Sequence, residues 1–161
     1  MSNATPTLKL WRKFAGRPLG KRLFTLGVGF KAPYFLSIGA TVREIEPGRS
    51  VVTARNGWRV HNHLGTFHAI AMCNLAELAM GMVAEATVPP THSWIPKGIE
   101  ARYLARGETS LTAEALLDPI PQFGDEKFDV DVVVTIRDKA GTVITDAKIP
   151  IRIAPKENRN S

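Results

Sequence analysis

Between Leu64 and Ala86 the chain carries apolar residues on every side of a helix. Phe67, Ile70, Ala71, Met72, Leu75, Leu78, Ala79, Met80, Met82 and Val83 are interrupted only by His68, Asn74, Glu77 and Glu85. A helix that is apolar all round has to be buried, either in a protein core or in a bilayer. Glu77 near its centre, and alternating segments on both sides of it, favour a core helix wrapped by strands. The expected fold class is α+β, an antiparallel β-sheet around a long central α-helix.

The flanking segments supply the strands. Ile38, Ala40 and Val42 alternate with Gly39, Thr41 and Arg43; Glu46 to Arg49 reads as a turn, and Ser50 to Asn56 returns as the second arm of a hairpin. Behind the helix, Ile99, Ala101, Tyr103 and Ala105 alternate with polar or charged neighbours apart from Leu104. Gly107-Glu108 then marks a turn, and Leu111, Ala113, Ala115 and Leu117 form a second apolar face, so this pair is also expected to be a hairpin. Phe128 to Ile136 and Val143 to Ile153 repeat the period of two around an Asp138 to Gly141 turn.

Before the first strand, the spacing of Leu8, Trp11, Phe14 and Ala15 predicts a helix. Pro18 suits the first turn of a second helix, and Ala32-Pro33 should end it, because a residue before proline is pushed out of the helical region. The expected organisation is a basic N-terminal helical segment over 1–32, one wrapped-helix domain over 33–154 and a fraying tail over 155–161. A chain of 161 residues is long enough for one such core and short for two.

Charge is unevenly spread. Lys9, Arg12, Lys13, Arg17, Lys21, Arg22 and Lys31 fall within residues 1–31 with no acidic residue among them, leaving 14 basic against 15 acidic residues in the remainder. Such a leader can attract phosphates, an anionic surface or nucleic acid, or can simply be the solvated face of a helix. The stretch Leu23 to Val42 contains Lys31, Pro33 and several glycines, so stable membrane insertion is not expected there. One cysteine, Cys73, allows neither an internal disulfide nor a cysteine-built zinc site, and a reducing, cytoplasmic location is expected.

A carboxylate inside an apolar helix costs several kcal/mol unless it is paired, hydrogen-bonded or protonated. Glu77 is therefore half of an ion pair, for instance with an arginine from the sheet, or simply lies in a surface slot along the helix, or is a general base or nucleophile tuned by its surroundings. Upstream, His61 to Ala69 brings amide, imidazole and hydroxyl groups to the helix mouth, where unsatisfied N–H groups and the helix dipole favour negative charge. Thr66 could be an ordinary N-cap and Asn62 an ordinary turn residue. From His68 to Glu77 the helix rises roughly 13–14 Å, so the two cannot serve one substrate atom within one chain. A symmetric dimer would make two composite sites.

These residues carry a family resemblance. The run Asn62-His63-Leu64-Gly65-Thr66-Phe67-His68-Ala69, followed by Glu77 within Asn74-Leu75-Ala76-Glu77-Leu78-Ala79, resembles the hotdog-fold acyl-CoA thioesterases of the phenylacetate-degradation type, and within them the DUF4442 branch. The likeness covers about residues 33–154. In that group an Asn or Gln, a backbone N–H seven residues on, and an Asp or Glu eight further form the site, and Asn62, Ala69 and Glu77 keep both spacings. By position, the resemblance implies that the Ala69 N–H and the Asn62 side chain polarise the thioester carbonyl while the partner's Glu77 attacks it or activates water. His68 would orient Asn62 or sit beside the leaving sulfur, with Gly65 and Thr66 in the substrate-binding turn and Thr66 capping. The family's usual His-Gly-Gly is His68-Ala69-Ile70 here, and Gly81 stands where some relatives carry a hydroxyl.

The implied reaction is hydrolysis of an acyl-CoA or acyl-carrier thioester by a homodimer or a dimer of dimers, with no metal, no cofactor beyond the CoA of the substrate, and no nucleic-acid partner. Lys97, Arg102 and Arg106 are the expected contacts for CoA phosphates. Two other readings stay open: a non-catalytic acyl-CoA or fatty-acyl binder, which suits the crowded Ala69-Ile70, and a hotdog hydratase or dehydratase, which suits the fourteen-residue spacing of His63 and Glu77.

Overall fold

The alternating segments become strands that turn most of their apolar members to one side. In the computed structural model, which describes residues 4–156, these are β1 (Thr41–Glu46), β2 (Arg49–Ala54), β3 (His92–Pro96), β4 (Glu100–Tyr103), β5 (Leu111–Leu116), β6 (Phe128–Arg137) and β7 (Val143–Pro155). They form one antiparallel sheet in the order β1-β2-β5-β6-β7-β3, with β4 also paired to the long β7. Val52, Ala113, Val134, Ile149 and their same-face neighbours are buried against the helix, while the opposite face carries the charged residues.

The central helix, α3, runs from Ala69 to Thr87 and lies in the concavity of that sheet. It begins later than the expected Leu64, because Asn62 to Thr66 close a turn and His61 and Phe67 form a β-bridge just before it. By length and mean hydropathy α3 could cross a membrane, yet two thirds of its most apolar window is covered by the protein's own strands and helices. Ala76, Ala79 and Ala84 on α3 and Ala113 and Ala115 on β5 are all buried, small residues suited to a close approach of helix and sheet; Ser50 Oγ donates to the Ala79 carbonyl at 2.6 Å. Larger side chains such as Leu75 and Leu78, both buried, contribute about 1.5–3 kcal/mol each.

Two helices precede the sheet, α1 (Pro6–Ala15) and α2 (Gly20–Lys31). Thr5 Oγ1 caps α1 by accepting from the Leu8 N–H, and Trp11 meets Phe24 edge to face at 5.1 Å. Leu8, Trp11 and Phe24 join the same core as the sheet. Pro18 lies in the turn before α2 rather than in its first turn. At Gly20 a side chain would collide with the Phe14 carbonyl, so that crossing needs a glycine where α2 begins. As expected, α2 ends at Lys31, and Pro33 opens a 3₁₀ turn, Pro33–Ile38, in place of the anticipated start of the first strand.

The 99–117 region departs from the expected hairpin. β4 pairs with β7, Glu100 opposite Lys148 and Tyr103 opposite Thr145, whereas β5 inserts between β2 and β6. The connection cannot be a tight turn, because the Leu104 and Ala105 N–H groups both go to the Ile144 carbonyl and the Gly107 carbonyl accepts from Phe67 at 2.8 Å. A Cβ at Gly107 would sit 2.8 Å from that of Phe67, so the glycine serves a close crossing and not a hairpin. β3 escapes the alternation pattern because prolines bracket it, and its place on the sheet edge tolerates them. At the other end Pro155 pairs with His92 and the Lys156 N–H donates to Thr91, so the expected fraying does not begin there; residues 157–161 of that expected tail lie outside the described residues.

Candidate active site

The mouth of α3 is built by Asn62. Its Oδ1 accepts from the Leu64 N–H (2.9 Å), the Thr66 N–H (3.2 Å) and the Thr66 hydroxyl (3.3 Å), and its Nδ2 donates to Thr66 Oγ1 at 3.0 Å. Gly65 at φ +74° makes this five-residue loop possible, since only glycine holds that conformation without strain. Asn62 therefore acts first as a turn residue, with one Nδ2 proton left over. Asn62→Ala strips three donors of their acceptor and is expected to lower stability by about 1 kcal/mol or more, while Asn62→Asp keeps the acceptor and most of the stability. Denaturant midpoints check this, and equal midpoints for Ala and wild type would show that the loop does not depend on Asn62.

The helix cap differs from expectation. His68, not Thr66, caps α3: its Nδ1 accepts from the Ile70 N–H at 3.0 Å, which puts the proton of the neutral ring on Nε2 and turns that donor outward. Thr66 is held by Asn62 instead. Ala69, the first helical residue, has no acceptor for its N–H among the described residues, and this free donor sits at the positive end of a 19-residue helix.

For Glu77 the structure matches the surface slot along the helix and not the ion pair. It is exposed in the single chain, because α3 leaves one stripe, Ile70, Cys73 and Glu77, uncovered by the sheet. Its carboxylate makes no hydrogen bond or ion pair among the described residues, so no structural ion pair accounts for it. It lies instead at the wall of a cavity of about 360 Å³ between α3, α2 and β3, with Phe24, Val28, Met80, Met82 and Trp94 as apolar walls and Lys31 on the rim. Two turns further along, Glu85 lines the same cavity but is committed: it accepts from Thr7 Oγ1 at 2.7 Å and from Trp94 Nε1 at 3.2 Å, tying α1 and β3 to α3. Lys31, Trp94 and Glu85 were not singled out by motif, because only tertiary packing brings them to Glu77.

Next to Glu77 on the open stripe, Cys73 Sγ lies 3.0 Å from the Tyr103 hydroxyl, and burial, then that contact, push the Tyr103 phenol up to about 12. Asn74 is buried and donates through Nδ2 to Ser37 Oγ, leaving its Oδ1 without a partner. His63 stays on the exposed loop, away from the helix, and Lys97, Arg102 and Arg106 are exposed along and beyond β3 and β4. Asn62, Gly65, Thr66, His68 and Ala69 thus come together, while Glu77 lies about 12 Å further along the helix axis, eight residues from Ala69.

Solved structures share this architecture. A structural-genomics protein, APC5556, is 31% identical over 92% of this chain and 97% of its own, with a TM-score of 0.80. A Pseudomonas aeruginosa protein described as a probable thioesterase is 21% identical, covering 80% of this chain and 91% of its own at a TM-score of 0.73. A Haemophilus influenzae thioesterase is 14% identical, covering 80% and 87% at 0.68. At such identities the last two speak for the fold, which is the hotdog fold. No curated protein matches the chain. The sequence pattern of DUF4442, described as a domain of unknown function, matches residues 20–153, and the chain belongs to that family.

Proposed function

We propose that the protein is an acyl-thioester hydrolase whose site is shared between two subunits. The observation that carries this reading is the pairing of two uncommitted groups, the free Ala69 N–H at the α3 mouth and the unpaired Glu77 carboxylate at an apolar cavity. Neither has a structural role of its own, and within one chain they lie too far apart for one carbonyl group. A two-fold partner that covers the open stripe of α3 brings the mouth of one helix to the carboxylate of the other.

In this reading the acyl chain occupies the cavity beside Met80 and Met82. The thioester oxygen takes the Ala69 N–H and the remaining Asn62 Nδ2 proton, so the helix terminus stabilises the oxyanion as it forms. The partner's Glu77 takes a proton from water as the water oxygen bonds to the carbonyl carbon. The tetrahedral intermediate then collapses, the carbon–sulfur bond breaks and the proton goes to the thiolate, giving a carboxylic acid and a free thiol. The outward Nε2–H of His68 stands at the side where the sulfur leaves. Lys97, Arg102 and Arg106 are the cations offered to CoA phosphates, a cytoplasmic setting keeps the half-exposed Cys73 reduced, and the working assembly is a dimer or a pair of dimers. A non-catalytic acyl binder remains the second reading, favoured by Ile70, which is exposed at the mouth where it narrows the approach.

Subunit exchange tests the shared site. Ala69→Pro and Glu77→Gln proteins are each expected to be inactive, and mixing them restores one intact site per heterodimer. Random exchange of equal amounts should return roughly a quarter of wild-type turnover. No recovery, with heterodimers verified by mass spectrometry, overturns the composite site.

A further inference from the structure

The outer face of α2 is apolar where a solvated helix would be polar. Leu23 (54% exposed), Leu26 (49%) and Phe30 (84%) follow one another at helical spacing, Leu19 (68%) continues the line before the helix and Tyr34 (67%) after it. Leu19, Leu23, Phe30 and Tyr34 line neither the Glu77 cavity nor the cavity described next. Contiguous exposed apolar side chains of this size mark a surface that meets a partner.

The charges around the stripe say which partner. Arg22 and Lys31 flank it on either side of α2, and no acidic residue occurs anywhere in residues 1–43. Beside Leu26 opens a cavity of about 420 Å³ lined by Arg22, Arg43 and Arg55 with no carboxylate in its wall. Arg43 occupies a bulge in β1, and its Nε donates to Thr53 Oγ1 at 2.7 Å, which orients the guanidinium while leaving its terminal nitrogens free. On the same sheet Arg49 meets Glu44 and Glu114, and Arg152 meets Asp129, so an arginine there pairs where a carboxylate lies within reach. The three cavity arginines form no ion pair among the described residues. A two-fold copy of the chain would bring one acid-free basic surface against another, which is repulsive, whereas an anionic bilayer offers hydrocarbon to the stripe and phosphates to the arginines.

We propose that α2 is a reversible membrane-docking helix. Leu19, Leu23, Leu26 and Phe30 enter the interface of an anionic phospholipid surface, with Arg22, Arg43 and Arg55 taking lipid phosphates. Docking of this kind is peripheral, and it holds whether or not the Glu77 site hydrolyses thioesters.

Co-sedimentation of the full chain with vesicles tests it. Binding is expected to equimolar phosphatidylglycerol and phosphatidylcholine, to fall about tenfold or more on phosphatidylcholine alone, and to weaken with added salt. Leu23→Ser with Phe30→Ser should lose binding with an unchanged melting temperature, and Arg22→Gln with Arg55→Gln should weaken it roughly tenfold or more. Inorganic phosphate at matched ionic strength should displace the protein no better than sodium chloride does. The proposal is overturned by absence of binding, by variants that bind like wild type, or by displacement specific to phosphate, which would mark a site for soluble anions. It is equally overturned if the serine variant leaves vesicle binding unchanged but breaks an oligomer seen by light scattering, which would make a second copy the occupant.

Discussion

Glu77→Gln should lower turnover of an acyl-CoA by about a hundredfold or more, some 2.7 kcal/mol of transition-state stabilisation, with an unchanged melting temperature. The amide keeps the size of the side chain and its hydrogen-bonding capacity but cannot take a proton from water. The structure sharpens this expectation. A buried ion pair would have tied the loss of charge to a loss of stability, and the exposed Glu77 carboxylate has no such partner among the described residues. Glu85 provides the internal contrast, since Glu85→Gln breaks into the contacts with Thr7 and Trp94 and is expected to shift melting more than turnover. Thiol release and thermal melting, measured on both variants, separate the roles. An acyl-CoA that binds both wild type and Glu77→Gln with equal affinity but is turned over by neither would favour the binder.

Ala69→Pro is expected to cost about a hundredfold to a thousandfold in turnover, the range associated with loss of one oxyanion donor. This substitution is unusually clean at this position. Ala69 is the first residue of α3, where proline is favoured because the N–H it deletes is not used by the helix. The preceding His68 is already extended, at φ −68° and ψ 138°, as a residue before proline must be. The helix should therefore survive while the donor disappears. Circular dichroism would report the fold and thiol release the activity; a folded Ala69→Pro protein with normal turnover would remove Ala69 from the site. Ala69→Gly, which keeps the N–H and removes the methyl, should retain activity.

The sequence by itself determined the long apolar helix, the alternating strands around it and the two leading helices, because burial imposes periods of 3.6 and 2 that survive in the order of residues. It also held the Asn62, Ala69 and Glu77 spacing, since those residues lie within one continuous loop and helix. Strand pairing was decided only by tertiary structure. The 99–117 segment has the pattern of a hairpin, but backbone hydrogen bonds do not record in sequence which edge they will find, and the Gly107 crossing under Phe67 sends β5 between β2 and β6. The choice between a paired and an exposed Glu77 was equally open in the sequence, because an apolar run shows that a helix is covered and not which stripe the sheet leaves open. The cation-lined cavity draws Arg22 from a helix and Arg43 and Arg55 from and just beyond two strands; three arginines so far apart along the chain acquire a common field only when the chain folds.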